Sequence, residues 1–70
     1  MRYGEKLRVL RRAKGVSQFA LAVKAGITNV TVSAIEVGRV NNPWTSTTVQ
    51  LAKALEISID EFISGIDFED

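Results

Sequence analysis

The sequence contains no cysteine and no histidine. Without cysteine there is no disulfide framework and no thiolate metal site. Without histidine the chain lacks the commonest general base, the commonest metal ligand and the side chain that titrates near neutral pH. Catalysis would have to rest on carboxylates and hydroxyls alone, so no enzyme, metal site or cofactor is expected. Apolar runs are short, far below the ~20 residues needed to span a bilayer. The opening MRYGEKLRVLRR is basic and holds too short an apolar stretch for a secretory signal. No membrane association is expected, and the cytoplasm is the expected location. Proline occurs once, at Pro43, inside the polar break VNNP.

What is present is a 70-residue chain, 46% hydrophobic and 24% charged. That is one globular domain of a size that buries only about 60% of its unfolded surface. The net charge is +1, but it is segregated. All nine Lys and Arg lie within residues 2–53, opposed there only by Glu5 and Glu36, which leaves that part at +7. Residues 56–70 hold the other six carboxylates and no basic residue. A basic body with an acidic end fits a polyanion-binding face and a tail turned away from it; scattered charges on an ordinary solvated surface are the plainer reading.

Glycines at 4, 15, 26, 38 and 65 divide the chain into segments of helical length. Residues 4–14 place Leu7, Leu10 and Ala13 on one face, with Tyr3 one turn before. Ser17 can cap a second helix to about Ala25, with Leu21, Ala22 and Ala25 inward. Thr28 can cap a third, to about Val37. Thr45 or Ser46 begins a fourth with Val49, Leu51, Ala52 and Leu55 apolar. Ser58 and Glu61 fit a capping box opening a fifth, which ends near Gly65. One stretch reads two ways: Val30, Val32 and Ala34 alternate with Thr31 and Ser33 as in a strand. A lone strand among helices would have no partner, and the helix is favoured.

A steep crossing of the second and third helices needs small residues at the contact and a turn that allows positive φ. Ala22 and Gly26 supply these, and Leu21, Ala25, Ile27, Val32 and Ile35 supply an apolar wedge. The stretch SQFALAVKAGITNVTVSAIEVGR resembles the helix-turn-helix of the Cro/repressor-type (XRE) family, whose pattern is roughly S-Q-x-x-L-A-x-x-x-G-[IV]-[ST]-x-x-[ST]-[IV]-S-x-[IL]-E-x-G. Ser17, Gln18, Leu21, Ala22, Gly26, Ile27, Thr28, Thr31, Val32, Ser33, Ile35, Glu36 and Gly38 match it. LRVLRRAKGVSQ resembles the family's first helix and LAKALEISIDEFI its last two.

The resemblance implies an all-α, lambda-repressor-like fold: a compact five-helix domain with a central helix-turn-helix over residues 1–66, followed by a short acidic tail at 67–70. It implies a sequence-specific DNA-binding transcriptional regulator, a repressor acting on a pseudo-palindromic operator in double-stranded DNA. The third helix would enter the major groove, from a homodimer. Base readout falls to Asn29, Val30, Ser33 and Ala34. Asn29 is placed to bridge N6 and N7 of adenine and Val30 to meet a thymine methyl. Phosphate contacts fall to Ser17, Gln18, Thr31, Arg39, Asn41 and Asn42. Arg11 and Glu36 correspond to the family's partly buried ion pair and are assigned to folding. Arg8, Arg12, Lys14, Lys24 and Lys53 read as solvated or steering charges, and Arg2 as a flexible arm. A dimer must use the domain's own surface, for which Ile59, Ile63, Ile66 and Phe68 are the candidates, with Phe62 read as core.

The sequence departs from the family pattern in several places. Phe19, Ala20 and Val23 stand where polar residues are usual, and Val30, Ala34 and Val37 form an apolar stripe where long polar residues are common. Glu56 stands where the family often has glycine, and Trp44 replaces the usual opening of the fourth helix and is read as a core cover. Exposed apolar clusters of this kind also fit a protein partner. The rival expectation is therefore a protein-interaction module on the same fold, such as the antitoxin of a toxin pair.

Overall fold

In the computed structural model, residues 1–40 and 45–67 are described, together with all side chains among them except that of Thr45. Five helices follow one another: α1 (Tyr3–Ala13), α2 (Gln18–Ala25), α3 (Asn29–Glu36), α4 (Thr45–Leu55) and α5 (Ile59–Ile63). There is no strand among the described residues, and Val30 to Glu36 are helical. Phosphate candidates Asn41 and Asn42, dimer candidate Phe68 and the expected core cover Trp44 lie outside the described residues.

Local chemistry explains where the helices begin. The Glu5 carboxylate accepts from the Arg2 backbone N–H at 2.9 Å, closing the start of α1. The hydroxyls of Ser17, Thr28 and Ser58 accept from the N–H groups of Ala20, Thr31 and Glu61 at 3.0, 3.1 and 3.0 Å. Each satisfies one of the donors that a helix start leaves free, worth about 1 kcal/mol. Gly26 ends α2 at φ +74°, the left-handed conformation that lets the chain reverse without a Cβ clash. The axes of α2 and α3 are bent by 117° across that turn.

The end of α4 is unusual. Glu56 itself takes φ +59°, while the Ile57 N–H bonds back to the Ala52 carbonyl at 3.0 Å. The helix therefore stops as it would at glycine, at a cost of about 1 kcal/mol in backbone strain, and α4 and α5 are not continuous.

Packing is sequential around one core. Helix α2 lies on α3 and α4, α1 on α3 and α5, and α4 on α5. Leu7, Leu21, Val32, Ile35, Leu51, Leu55 and Phe62 are fully buried, with Tyr3, Ala22, Ala25 and Ala52 beside them. The Tyr3 ring lies 5.3 Å from that of Phe62, and its hydroxyl shares a 2.6 Å hydrogen bond with Thr48. Burial pushes the Tyr3 phenol up from its ordinary pKa, against the opposing pull of Thr48. Two expectations are corrected. Ala13 is exposed, because the covered stripe of α1 runs through Tyr3, Leu7 and the half-buried Leu10 and Arg11 and leaves the final residues of the helix in solvent. Val49 is only half-buried, and Thr48 faces inward in its place to meet Tyr3.

The ends of the described chain are tied together. The Met1 amine donates to the Asp67 carboxylate at 2.7 Å, and the Asp67 N–H donates to the Met1 carbonyl at 2.8 Å. Lys6 Nζ donates to the Ser64 carbonyl at 2.8 Å, closing the end of α5 onto α1. These contacts run one residue past the domain boundary expected at residue 66.

Candidate nucleic-acid interface

Helix α3 has one face in the core and one in solvent. Val32 and Ile35 are fully buried, while Val30 and Val37 are 76% and 59% exposed. Asn29 is exposed, and Ser33 and Ala34 are half-buried. Because Thr28 caps α3 and fixes its start, Asn29 and Val30 sit in the first turn, facing outward. A shallow depression runs along this face, lined by Gln18, Asn29, Val30, Ser33, Ala34, Val37 and Arg39. All four side chains expected to read bases line it, as do two of those expected to contact phosphate. Val37 joins them, on the i, i+4, i+7 stripe that the sequence shows from Val30.

The phosphate candidates divide. Arg39 is exposed just beyond α3. The Ser17 oxygen is engaged as the cap of α2 but keeps its hydroxyl proton. The Thr31 hydroxyl is half-buried and shares a 2.8 Å hydrogen bond with Thr28. Gln18 Nε2 donates to Glu36 Oε1 at 3.0 Å, which fixes its amide in one orientation.

Glu36 is the centre of the polar structure behind this face. Its side chain has no exposed surface. Arg11 grips it with two N–H groups, Nε to Oε2 at 2.6 Å and Nη2 to Oε1 at 3.1 Å, and donates a third bond from Nη1 to the Val16 carbonyl at 2.9 Å. Arg8 Nε reaches Oε1 at 3.4 Å. Burial alone would raise the Glu36 pKa, but the hydrogen bonds from Arg11, Gln18 and Arg8 and the Arg11 charge outweigh it and hold the carboxyl below its usual range. The same bonds hold the Arg11 guanidinium firmly protonated. Arg11 and Glu36 are thus the ion pair that the resemblance implies, and it is shared by two further donors. No buried side-chain polar atom among the described residues lacks a hydrogen-bond partner.

Two residues that the motif does not mark also shape this face. The glycine spacing makes Gly4 a helix boundary, yet it lies inside α1, where that helix crosses the end of α3. A Cβ there would collide with the Ile35 carbonyl oxygen and come within 3.0 Å of that of Glu36. A glycine inside a helix, where it costs about 1 kcal/mol against alanine, was the available signal. Arg8, on sequence grounds a solvated or steering charge, instead reaches Glu36. Its i, i+3 spacing from Arg11 puts both on one helix face, which was the signal for a shared partner.

Comparison with known proteins agrees with this arrangement. The family model described as "Helix-turn-helix domain" matches residues 2–62. A curated relative from Bacillus subtilis, the uncharacterized HTH-type transcriptional regulator RghRB, is 36% identical over 63 residues, 90% of this chain and 45% of its own length. The chain thus spans less than half of that relative. The restriction-modification controller protein C.AhdI from Aeromonas hydrophila superposes with a TM-score of 0.81 at 38% identity, over 86% of this chain and 89% of its own. The P22 c2 repressor, in a crystal structure with a synthetic operator, superposes with a TM-score of 0.80 at 31% identity, over 93% of this chain and 97% of its own. Helices α1 to α4, the capped turn at Gly26 and the Arg11–Glu36 pair fall within the matched region, and the chain belongs to the helix-turn-helix family of DNA-binding regulators, of the Cro/repressor type.

Proposed function

We propose that this domain is a sequence-specific DNA-binding repressor that works as a homodimer, inserting α3 into the major groove of a pseudo-palindromic operator and acting in the cytoplasm by occupying that operator. The observation that carries the reading is the open face of α3, capped at Thr28, backed by core at Val32 and Ile35, and bordered by Arg39. Asn29, Val30, Ser33 and Ala34 meet base edges; Ser17, Gln18, Thr31, Arg39, Asn41 and Asn42 meet phosphates. The apolar stripe favours thymine methyl groups over guanine, since no arginine or lysine projects from α3 itself. A two-fold dimer would place its two α3 helices on half-sites about 34 Å apart, one DNA turn. The P22 c2 repressor's recorded complex with its operator supports the reading by similarity.

A second reading has its own observation. Phe19 and Val23, one turn apart on α2, are 67% and 65% exposed, as a protein-binding module such as an antitoxin would have them. Selection of bound duplexes from a random DNA pool separates the two. The repressor reading requires enrichment of a two-fold symmetric, A·T-containing site; a pool that stays random after repeated rounds favours the protein partner.

A further inference from the structure

We propose that Arg8 and Gln18 form a phosphate-binding pair on the DNA backbone, assembled by the buried carboxylate of Glu36. The proposal rests on the DNA-binding reading and adds a residue to it. Glu36 carries one negative charge and is met by two guanidinium groups, so the cluster has one positive charge in excess. Arg11 is not the spare one. It is 12% exposed, grips both carboxylate oxygens and also holds the Val16 carbonyl. Arg8 is different. Its side chain is 42% exposed, and it touches Glu36 through Nε alone, at 3.4 Å. Its Nη1 and Nη2 have no protein partner among the described residues.

Location makes this spare cation useful. Arg8 and Gln18 donate to the same atom, Glu36 Oε1, so the two side chains are neighbours. Gln18 also lines the depression along α3. A phosphate beside the N-terminus of α2 can therefore be met by Gln18 and the free edge of Arg8 together, with the planar fork that suits phosphate oxygens. Holding Arg8 by Nε restrains the guanidinium before binding and reduces the ordering cost on contact. Glu36 then acts as a positioning residue: it touches no DNA and orients two groups that do.

The test is the salt dependence of duplex binding by Arg8→Gln, Arg8→Lys and the wild type, with a thermal melt of each protein. Losing one phosphate contact reduces the slope of log K against log salt by about 0.9 per bound subunit. Arg8→Gln is expected to show that reduction, with affinity falling by the same factor on selected and unrelated duplexes. Arg8→Lys keeps the charge and is expected to restore the slope. A purely structural Arg8 would lower the melting temperature in Arg8→Gln and leave the slope as in the wild type; that outcome overturns the proposal. If the wild type itself binds no duplex in a salt-dependent way, it is the DNA-binding reading that fails.

Discussion

Glu36 joins three helices through one carboxylate, which accepts from Arg8 and Arg11 of α1 and from Gln18 of α2. Glu36→Gln leaves the mostly buried Arg11 without its charge partner. Breaking a buried pair costs about 3–5 kcal/mol, and the half-exposed Arg8 places the expected loss near the lower figure. For a domain of this size about 3 kcal/mol corresponds to more than 10 °C in melting temperature, readable by circular dichroism. The pH dependence follows from the lowered folded-state pKa. A depressed carboxyl contributes fully above its unfolded value, about 4.3, and loses that contribution as the pH falls below it, through the folded value. The melting-temperature gap between wild type and Glu36→Gln is therefore expected to be full near pH 7 and to narrow below about pH 4; a gap that is constant down to pH 3 would show that the carboxylate is not the source. The Arg11–Glu36 pair was legible through the resemblance to the family, and the position of Glu36 as one of two acids in a basic region argued only that it turns inward. The sequence did not show the shares of Arg8 and Gln18, because a carboxylate's further partners depend on where three helices meet.

At the scale of elements, the helices were legible because caps and apolar spacing agree. Ser17, Thr28 and Ser58 each stand where the structure starts a helix. The strand-like alternation from Val30 to Ala34 lost to that cap and to the burial of Val32 with Ile35, three residues apart. What spacing could not show is a contact between elements distant in sequence. Gly4 is the example: the orientation of α3 depends on α1 approaching backbone to backbone. Gly4→Ala would gain helix propensity of roughly 1 kcal/mol in isolation. In the fold it forces α1 away from Ile35 and Glu36, an overpacking penalty of about 1–3 kcal/mol. The net expectation is a destabilised protein that stays helical and binds DNA more weakly, since the displaced helix carries Arg11 and Arg8. Urea denaturation checks the sign, and a more stable Gly4→Ala protein would show that the crossing relaxes freely.

For the whole molecule, charge segregation and the single core were legible from composition and order, but the dimer surface was not. Ile59 is 42% exposed, whereas Ile63 and Ile66 are half-buried against the core. Of the described candidates, Ile59 is the one free to meet a second copy. Ile59→Ser is expected to raise the dimer's dissociation constant by about tenfold, for the roughly 1.5 kcal/mol of apolar burial lost, with unchanged helicity, by sedimentation equilibrium. An unchanged dimer mass would remove α5 from the interface. Base reading by two copies of α3 in the major groove is the central proposal. The direct measurement is the affinity of wild type and Asn29→Ala for the selected duplex, all of its single-base variants and an unrelated duplex. Asn29→Ala is expected to lose about 1–3 kcal/mol of discrimination at one base pair in each half-site, symmetrically, while binding to unrelated DNA is kept. Equal weakening on every duplex, or an unaltered base preference, would contradict it.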